Sequence, residues 1–514
     1  MLKHLGLGLL LAASLQGFAQ SEAEFLPHRL HADSLRADLT VLTSREMAGR
    51  GTGQSGYQQA ANFVSARLQQ WGLQHFENLN LVEDGNPYGL AVPYHASQLR
   101  GASFKVGKRK FKFAKDFVAT GGLTNGIIDF DEVVVIGHGK LTEKGAITYD
   151  AAAVKGKWVL AAPGSLNAKG EVEEGFWREQ YRQLANAGAS GVIVMHPAYK
   201  KETPALLERL LEERISLQKT DAEKASSMGN VPVVVLSPKA YNRLLRQLKV
   251  RKKSMISRAA DFSSGQEVRK KEYRLQVDLV ERDFEAPNVA AFIRGADESN
   301  EWVLLTAHLD HLGEHHGKVF QGADDNGSGS AALMSVARQL AEWRDAGMQP
   351  RRNIALVWFS GEENGLLGSR YFSQNMPMAS DLVVTNINVD MVGRFDDKHD
   401  TTSKYLYLIG ADRISQDLHD IGEAVNARCC NLELDYTYND PKDPNRYYFR
   451  SDHYNFAKLG IPSVFYFSGV HADYHKETDT IEKINFARMA TITEYLLYTS
   501  WELANRSSRP KPNK

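Results

Sequence analysis

In four places this chain sets an imidazole or a carboxylate at or shortly after the end of a short, mainly apolar run. Trp302–Ala307 is followed by His308-Leu-Asp310-His311, and then by the acidic, glycine-rich turn Gly322-Ala-Asp324-Asp325-Asn-Gly-Ser-Gly-Ser330. Ile354–Phe359 is followed by Ser360-Gly361-Glu362-Glu363-Asn-Gly365, and Leu382–Val389 by Asp390. Ile461–Phe467 precedes His471-Ala-Asp-Tyr474-His475-Lys-Glu-Thr-Asp479-Thr. Taken singly, each is a surface turn or a helix cap. As a set, His308, Asp325, Glu363, Asp390 and His475 suit a pair of borderline metal ions. Imidazole ligands argue against Ca²⁺ and Mg²⁺ and for Zn²⁺, with Mn²⁺ or Co²⁺ as substitutes. The charges also balance: two Zn²⁺ are met by three carboxylates and one bridging hydroxide. Glu362 is then the carboxylate left over, and hydrolysis by a metal-activated water needs such a free base.

These residues need a scaffold that carries several strand ends to one place. Each apolar run reads as a buried strand, and Ser330–Ala341, apolar at helical spacing, reads as the helix after the acidic turn. Strand, turn and helix make an α/β unit, and such folds bind ligands beyond the carboxyl ends of their strands. The expected architecture is α/β: a mixed, mainly parallel sheet with helices on both faces. Two helices, near Ser34–Leu42 and Gln58–Leu68, precede it, and the Arg45–Gly56 stretch between them reads as a loop. Its glycines resemble a phosphate loop, but no Gly-Lys-Ser/Thr follows and no strand precedes.

From about Asp84 to Lys271 the composition changes. Short β-rich runs (Glu132–Ile136, Trp158–Ala162, Gly191–Met195, Val231–Leu236) alternate with helical stretches at Arg178–Ala187 and Lys239–Leu248, without clustered metal ligands. This is an inserted β-rich α+β module, with the polar segment Ser257–Lys271 as the return linker. The basic runs Lys108–Lys115 and Arg251–Lys253 read as solvated faces.

At 514 residues the chain is longer than one compact domain usually holds. Lys plus Arg equals Asp plus Glu at 62 each, so no net field favours nucleic acid or an anionic membrane. Met1-Leu-Lys-His is a basic start, Leu5–Leu15 is apolar, and Gly17-Phe-Ala19 offers small residues before a cut. That pattern is a secretory signal peptide, too short to span a bilayer, with no Cys to take a lipid. An exported protein is expected, periplasmic or extracellular, without a membrane anchor after cleavage. Cys429 and Cys430 are neighbours, unable to staple distant segments, and are read as packing. The expected organisation is 1–19 signal peptide, 20–84 first part of the catalytic domain, 85–271 insert, 272–505 remainder of the catalytic domain and 506–514 polar tail.

Ala-His-Leu-Asp-His, Gly-Ala-Asp-Asp-Asn-Gly-Ser-Gly, Gly-Glu-Glu-Asn-Gly, Asn-Val-Asp-Met and Tyr-His-Lys-Glu-Thr-Asp-Thr, in this order, resemble the secreted di-zinc aminopeptidases of clan MH. Bacterial leucyl aminopeptidases, glutamate carboxypeptidase II and glutaminyl cyclases are relatives in that clan. The resemblance covers about residues 31–80 and 273–500. The insert is similar to a protease-associated domain at Val154–Leu160 and Leu184–Val194, and would shape access or substrate choice. The resemblance implies that His308 and Asp390 hold one zinc, Glu363 and His475 the other, and Asp325 bridges both. It makes Asp310 the residue that orients His308 through its second ring nitrogen. Glu362 becomes the general base acting on a metal-bridging hydroxide. Tyr448 matches a position where some members place a hydrogen-bond donor to the transition state. The cysteines beside it in some relatives are absent here, and Tyr447 is a rival. His311, His315, His316, His453 and His471 are not assigned as ligands.

The resulting expectation is an exported zinc exopeptidase acting on peptides, an aminopeptidase above all. Three other readings use the same chain. A glutaminyl cyclase needs one zinc, balanced by Asp325 and Glu363. A carboxypeptidase for acidic dipeptides needs a basic pocket, for which Arg370, Arg394, Arg446 and Arg450 are available. A receptor-like binding protein on this fold would lack the ligands that this chain keeps.

Overall fold

A computed structural model describes residues 30–77, 85–137, 140–141, 147–148, 151–162, 165–166, 172–173, 177–219, 231–251 and 267–513. The expected signal peptide lies outside these residues. The chain folds into two compact units, Met1–Val92 with Ala286–Lys514, and Pro93–Glu285. The second crossing comes later than the composition change suggests. Residues 267–271, expected within a linker, already belong to the strand Glu267–Ile293, and residues 257–266 are not described.

In the first unit, Asn353–Phe359, Trp302–His308, Val383–Val389 and Ser463–Phe467 stand side by side in one sheet. All three junctions between them are parallel. Val289–Ile293 pairs antiparallel on one side. Tyr405–Ile409 pairs antiparallel on the other, followed by the parallel strand Glu433–Asp435. A strand with both faces covered is mainly apolar, and Asn353–Phe359 and Val383–Val389 are buried at every position, with Thr385, Asn386 and Asn388 of the second donating hydrogen bonds. Their side chains alternate between two cores. Ala355, Val357 and Phe359 join Phe372 and Phe456, from the helices Leu367–Gln374 and His453–Ala457. From the other face, the Trp358 indole donates to the Ser330 carbonyl on the helix Gly329–Asp345. Ala32–Leu42 and Phe486–Asn505 pack against that helix. Helices thus cover both faces, and the carboxyl ends of four parallel strands open along one edge.

The expected polar tail is docked rather than free. Arg509 donates to the carbonyls of Asp381 and Val383, and the Ser415 hydroxyl donates to the Lys511 carbonyl. Cys429 and Cys430 are joined to each other as a disulfide between neighbours.

The second unit carries further strands of the sheet. Residues 267–277, Gly126–Ile136, Trp158–Ala161, Gly191–Met195, Pro232–Leu236 and Phe117–Gly121 are ordered across it. The four central strands of this set are parallel, and the helices Trp177–Asn186 and Pro238–Gln247 precede and follow strands of the set. Pro238 at the first helical position and Ser237 as cap, accepting from the Ala240 N–H at 3.3 Å, start the second of these helices. Among the described residues no helix is long and apolar enough to cross a membrane.

Candidate metal centre

Each strand end delivers its residue to the open edge of the first unit, and backbone-directed side chains lock the intervening turns. Asn326 holds the acidic turn to the end of Val383–Val389. Its amide donates to the Val389 carbonyl at 2.9 Å, and its oxygen accepts from the N–H groups of Gly329 and Met391. Asp479 grips the same turn from the other side, its Oδ2 accepting the N–H groups of Asp324 at 3.0 Å and Asp325 at 3.2 Å. Gly322, at φ +57°, has no room for a side chain: a Cβ would lie 2.4 Å from the His311 ring. Asp325 and Asp390, far apart in sequence, are therefore held together by neutral hydrogen bonds beneath them.

Two clusters result. His308 Nε2 lies 3.3 Å from Asp390 Oδ1 and 3.6 Å from Asp325 Oδ1. His475 Nε2 lies 3.2 Å from Asp325 Oδ2 and 3.1 Å from Glu363 Oε2. Asp325 belongs to both, one oxygen to each. His308 Nε2, His475 Nε2, Asp390 Oδ1 and Asp325 Oδ2 are buried without a hydrogen-bond partner among the described residues. Tetrahedral zinc with ligand bonds near 2.0–2.1 Å requires ligand atoms about 3.3–3.4 Å apart. The spacings meet that requirement within a few tenths of an ångström. Borderline nitrogen and hard carboxylate donors, desolvated and lacking protein partners, fit a divalent cation at each cluster.

His308 Nδ1 faces the Asp310 main-chain carbonyl at 3.0 Å, whereas the Asp310 carboxylate is 3.8 Å away. A carbonyl only accepts, so Nδ1 carries the proton and Nε2 presents a lone pair to the clusters. The Asp310 carboxylate instead takes the N–H groups of Glu362 at 3.1 Å and Glu363 at 3.4 Å, binding the base-bearing turn to the His308 strand. The orienting of His308 thus comes from the backbone of Asp310.

The electrostatics separate the two neighbouring glutamates. Burial raises the Glu362 pKa well above 4.5; His308 opposes this, and Glu363, Asp452 and Asp390 add to it. Burial also disfavours the charge on Glu363, but His311 and His475 outweigh it and hold that carboxyl far below its ordinary value. Glu362 is a proton acceptor with a raised pKa beside the clusters, and Glu363 is a standing anion within one. His475 is pushed up to about 10, burial opposing and Asp325 and Glu363 prevailing, so this imidazole binds a proton, or a metal in its place.

Several residues in the centre were not singled out by sequence spacing. His311 is fully buried, with Nδ1 2.8 Å from Glu363 Oε1 and 3.7 Å from Asp325 Oδ2, without hydrogen-bond alignment. His311, Asp325 and Glu363 also form a triad of ligand type. The spacings from His475 fit a shared ion more evenly, which leaves His311 beside Glu363. Asp452 is buried near Glu362 and Asp390, and burial, offset by His308, pushes it up to about 7. The Ser451-Asp452-His453 run marks it in the sequence. His471 meets Asp324 at 3.3 Å, on the outer side of the turn, and His453 packs among aromatic rings. His315 and His316 are exposed.

Tyr448 is not with the ligands. Its ring lies under the Arg413 guanidinium at 3.9 Å, edge-on to His453, and Arg413 counters the rise that burial gives its pKa. Tyr474 lies beside the clusters instead. It stacks on His475 with ring centroids 3.9 Å apart, and after burial the charges that act on its phenol are Asp325 and Glu363. Position immediately before a metal-type histidine was the available signal. Arg394 is paired with Asp473, Arg446 lies over Phe449, and Arg450 lies over Tyr447 while donating to the Tyr474 hydroxyl at 3.4 Å.

Residues 288–500, which contain every one of these ligands, match the family model described as Peptidase family M28. A probable leucine aminopeptidase of Trichophyton verrucosum is 30% identical over 236 residues, covering 45% of the chain and 61% of that protein. An aminopeptidase of Pseudomonas aeruginosa is 25% identical over 371 residues, covering 65% and 58%. The chain thus spans about three-fifths of the length of these curated relatives. The fold is similar to that of an aminopeptidase from Aneurinibacillus sp. strain AM-1, at TM-score 0.52 and 18% identity over 95% of this chain and 97% of that one. The zinc aminopeptidase of Bacillus subtilis matches at TM-score 0.50 and 18% identity, over 94% and 98%.

Proposed function

We propose that this protein is a zinc-dependent aminopeptidase that binds two ions. The observation that carries the reading is the pair of clusters sharing Asp325, in which His308 Nε2, Asp390 Oδ1, His475 Nε2 and Asp325 Oδ2 are buried without a hydrogen-bond partner among the described residues and stand near tetrahedral spacing from their neighbours. His308 and Asp390 would hold one ion, Glu363 and His475 the other, and Asp325 would serve both. Bound zinc would polarise the scissile carbonyl and lower the pKa of water.

The chain's own residues do the rest. Glu362 takes a proton from the attacking water and returns it to the amine that leaves, a role that suits a buried carboxylate with a raised pKa. Asp310 keeps that base in register with His308 by gripping the Glu362 and Glu363 N–H groups. The Tyr474 hydroxyl, held by Arg450, is the donor for the developing oxyanion. Glu362, Asp390 and Asp452 form an acidic wall that rewards the charge of a free N-terminal amine. An N-acetyl group removes that charge and adds bulk.

The N-terminal basic–apolar–small pattern supports export to the periplasm or medium. The likeness of the second unit's sequence to a protease-associated domain supports an accessory role in substrate access. The test is elemental analysis of purified protein together with digestion of one peptide in free and N-acetylated forms, followed by mass spectrometry. Two zinc per chain and stepwise loss of N-terminal residues from the free peptide alone are expected. C-terminal shortening of both forms would refute the aminopeptidase reading. One tightly held zinc with cyclisation of N-terminal Gln would replace it by a glutaminyl cyclase.

A further inference from the structure

The Arg45–Gly56 stretch, expected as a loop, forms the 3-10 helix Arg45–Arg50 and a short turn into the helix Ser55–Gln70, and it reaches the centre from outside the matched residues 288–500. Arg50 has no solvent exposure, and among the described residues its hydrogen bonds go to no carboxylate. Its guanidinium instead donates to four main-chain carbonyls. Nε binds Leu309 at 2.9 Å, Nη1 binds Leu42 at 2.6 Å and Gln321 at 2.8 Å, and Nη2 binds Gly322 at 2.8 Å. Leu309 lies between His308 and Asp310, and Gln321-Gly322 opens the turn that carries Asp325. One side chain thus ties together the two loops that present a ligand of the first cluster and the shared ligand.

Two residues on, the Thr52 hydroxyl does the same for a second pair of loops. It donates to Asp310 Oδ2 at 3.1 Å and accepts the Gly361 N–H at 2.9 Å, with Thr52 5% exposed. Gly361 starts the turn that carries Glu362 and Glu363. Between these two anchors, the Arg50 carbonyl accepts the His311 N–H at 3.3 Å, and Gly51 pairs with His311 as an isolated bridge. The backbone here is unusual. Ala48, Gly49 and Arg50 all have positive φ, at 43°, 71° and 54°. Two of the three carry a Cβ and so bear a conformational cost that only the surrounding contacts offset.

We propose that the Arg50–Thr52 segment is a positioning element for the metal centre. Arg50 sets the His308 loop against the Asp325 turn, and Thr52 sets Asp310 against the Glu362-Glu363 turn. The role rests on the zinc reading above and goes beyond it, because these residues touch neither metal nor substrate. It requires the planar fork of Arg, since a lysine ammonium cannot span carbonyls on three separate segments. It requires the Thr52 hydroxyl as donor and acceptor together, which serine keeps and valine loses.

The full-length protein and its Thr52→Val, Thr52→Ser and Arg50→Lys variants are stripped of metal. Zinc affinity is then measured by competition with a chromophoric chelator. Leucyl-p-nitroanilide gives kcat and KM for each reloaded protein. Residues that support metal ligands from behind typically change affinity or activity by about 10–100-fold. Thr52→Val and Arg50→Lys should weaken zinc binding by that range and lower kcat with KM within about threefold of the wild type. Thr52→Ser should restore both to within about threefold. Thr52→Val binding zinc and turning over as the wild type does would overturn the proposal, as would Thr52→Ser as impaired as Thr52→Val. Should Arg50→Lys fail to fold, the Thr52 pair decides alone. A wild type that takes up no zinc would remove the metal reading itself and this role with it, whereas an intact wild type beside an unimpaired Thr52→Val removes only the role.

Discussion

Glu362→Gln should act on activity and on stability in opposite directions. The change keeps side-chain volume and leaves the Glu362 N–H on Asp310 undisturbed, so the turn stays in place. What it removes is a proton acceptor. Loss of a general base costs ~10²–10⁴-fold in turnover, which at 1.36 kcal/mol per tenfold is about 3–5 kcal/mol of barrier. Stability moves the other way. Burial raises the Glu362 pKa in the folded protein, with Glu363, Asp452 and Asp390 adding to the rise against His308. Stability tied to a raised carboxyl is fully present below its ordinary value of 4.5 and is lost as pH rises toward the folded value. At pH 8 the wild type without metal therefore carries a penalty that glutamine lacks. The variant should melt higher than the wild type in a chelator, and the gap should narrow once zinc supplies positive charge. Turnover of leucyl-p-nitroanilide, zinc content, and melting with and without chelator would be read on Glu362→Gln and Glu363→Gln together. Glu363→Gln should lose zinc as well as activity. If Glu362→Gln emptied the site while Glu363→Gln stayed loaded, the assignment of base and ligand would be reversed. Retention of turnover within tenfold in Glu362→Gln would refute the base outright.

Burial pushes Asp310 up to about 6 and Asp452 up to about 7, so the chelated protein should lose melting temperature between pH 5 and pH 8 as both give up protons. The zinc-loaded protein should lose less over the same range, and a pH-independent difference between the two would count against this. Tyr474→Phe should lower kcat by about tenfold, near the 1.4 kcal/mol of one neutral hydrogen bond, and Tyr448→Phe by no more than about threefold. The reverse order would return the donor role to Tyr448. Phe359 meets Phe372 at 5.7 Å and Phe456 at 6.1 Å between ring centroids. Phe359→Ala should therefore cost ~3–5 kcal/mol of unfolding free energy in urea, and a cost under about 1 kcal/mol would show that the core collapses around the gap.

The ligand set was legible because of the fold class itself. Parallel strands covered on both faces are mainly apolar, so Ile354–Phe359 and its neighbours stand out, and a titratable residue just past each one lies at the edge where such folds bind ligands. The strand ends marked the places, and the resemblance of the motifs singled out His308, Asp325, Glu363, Asp390 and His475 within them, without any contact being known. A mainly parallel sheet was legible as well, whereas the order of its strands was not. The return from the inserted unit was less legible. Residues 267–271 are polar and charged, yet they run as strand, because solvent-facing positions in a half-covered sheet carry no apolar signal.

The amino-acid sequence by itself determined the kind of centre this protein has, since residue type sets metal preference and an apolar run sets where a strand ends. Only the tertiary structure decided which groups hold those ligands in place. Arg50 reaches Leu309 across 259 residues, and Thr52 reaches Gly361 across 309. Asp479 closes on the Asp325 turn from 154 residues away. No local periodicity records such pairs, and in sequence a buried Arg in a glycine-rich loop looks the same as a solvated one. His311 and His475 differ likewise: both follow strands, and only the packing of their loops puts His475 at tetrahedral spacing and His311 behind Glu363. Tyr474 and Tyr448 are alike as residues and differ in what folds against them, Asp325 and Glu363 in one case and Arg413 in the other. Local sequence specifies what a residue can do; the long-range hydrogen bonds that specify where it stands form only when distant loops meet.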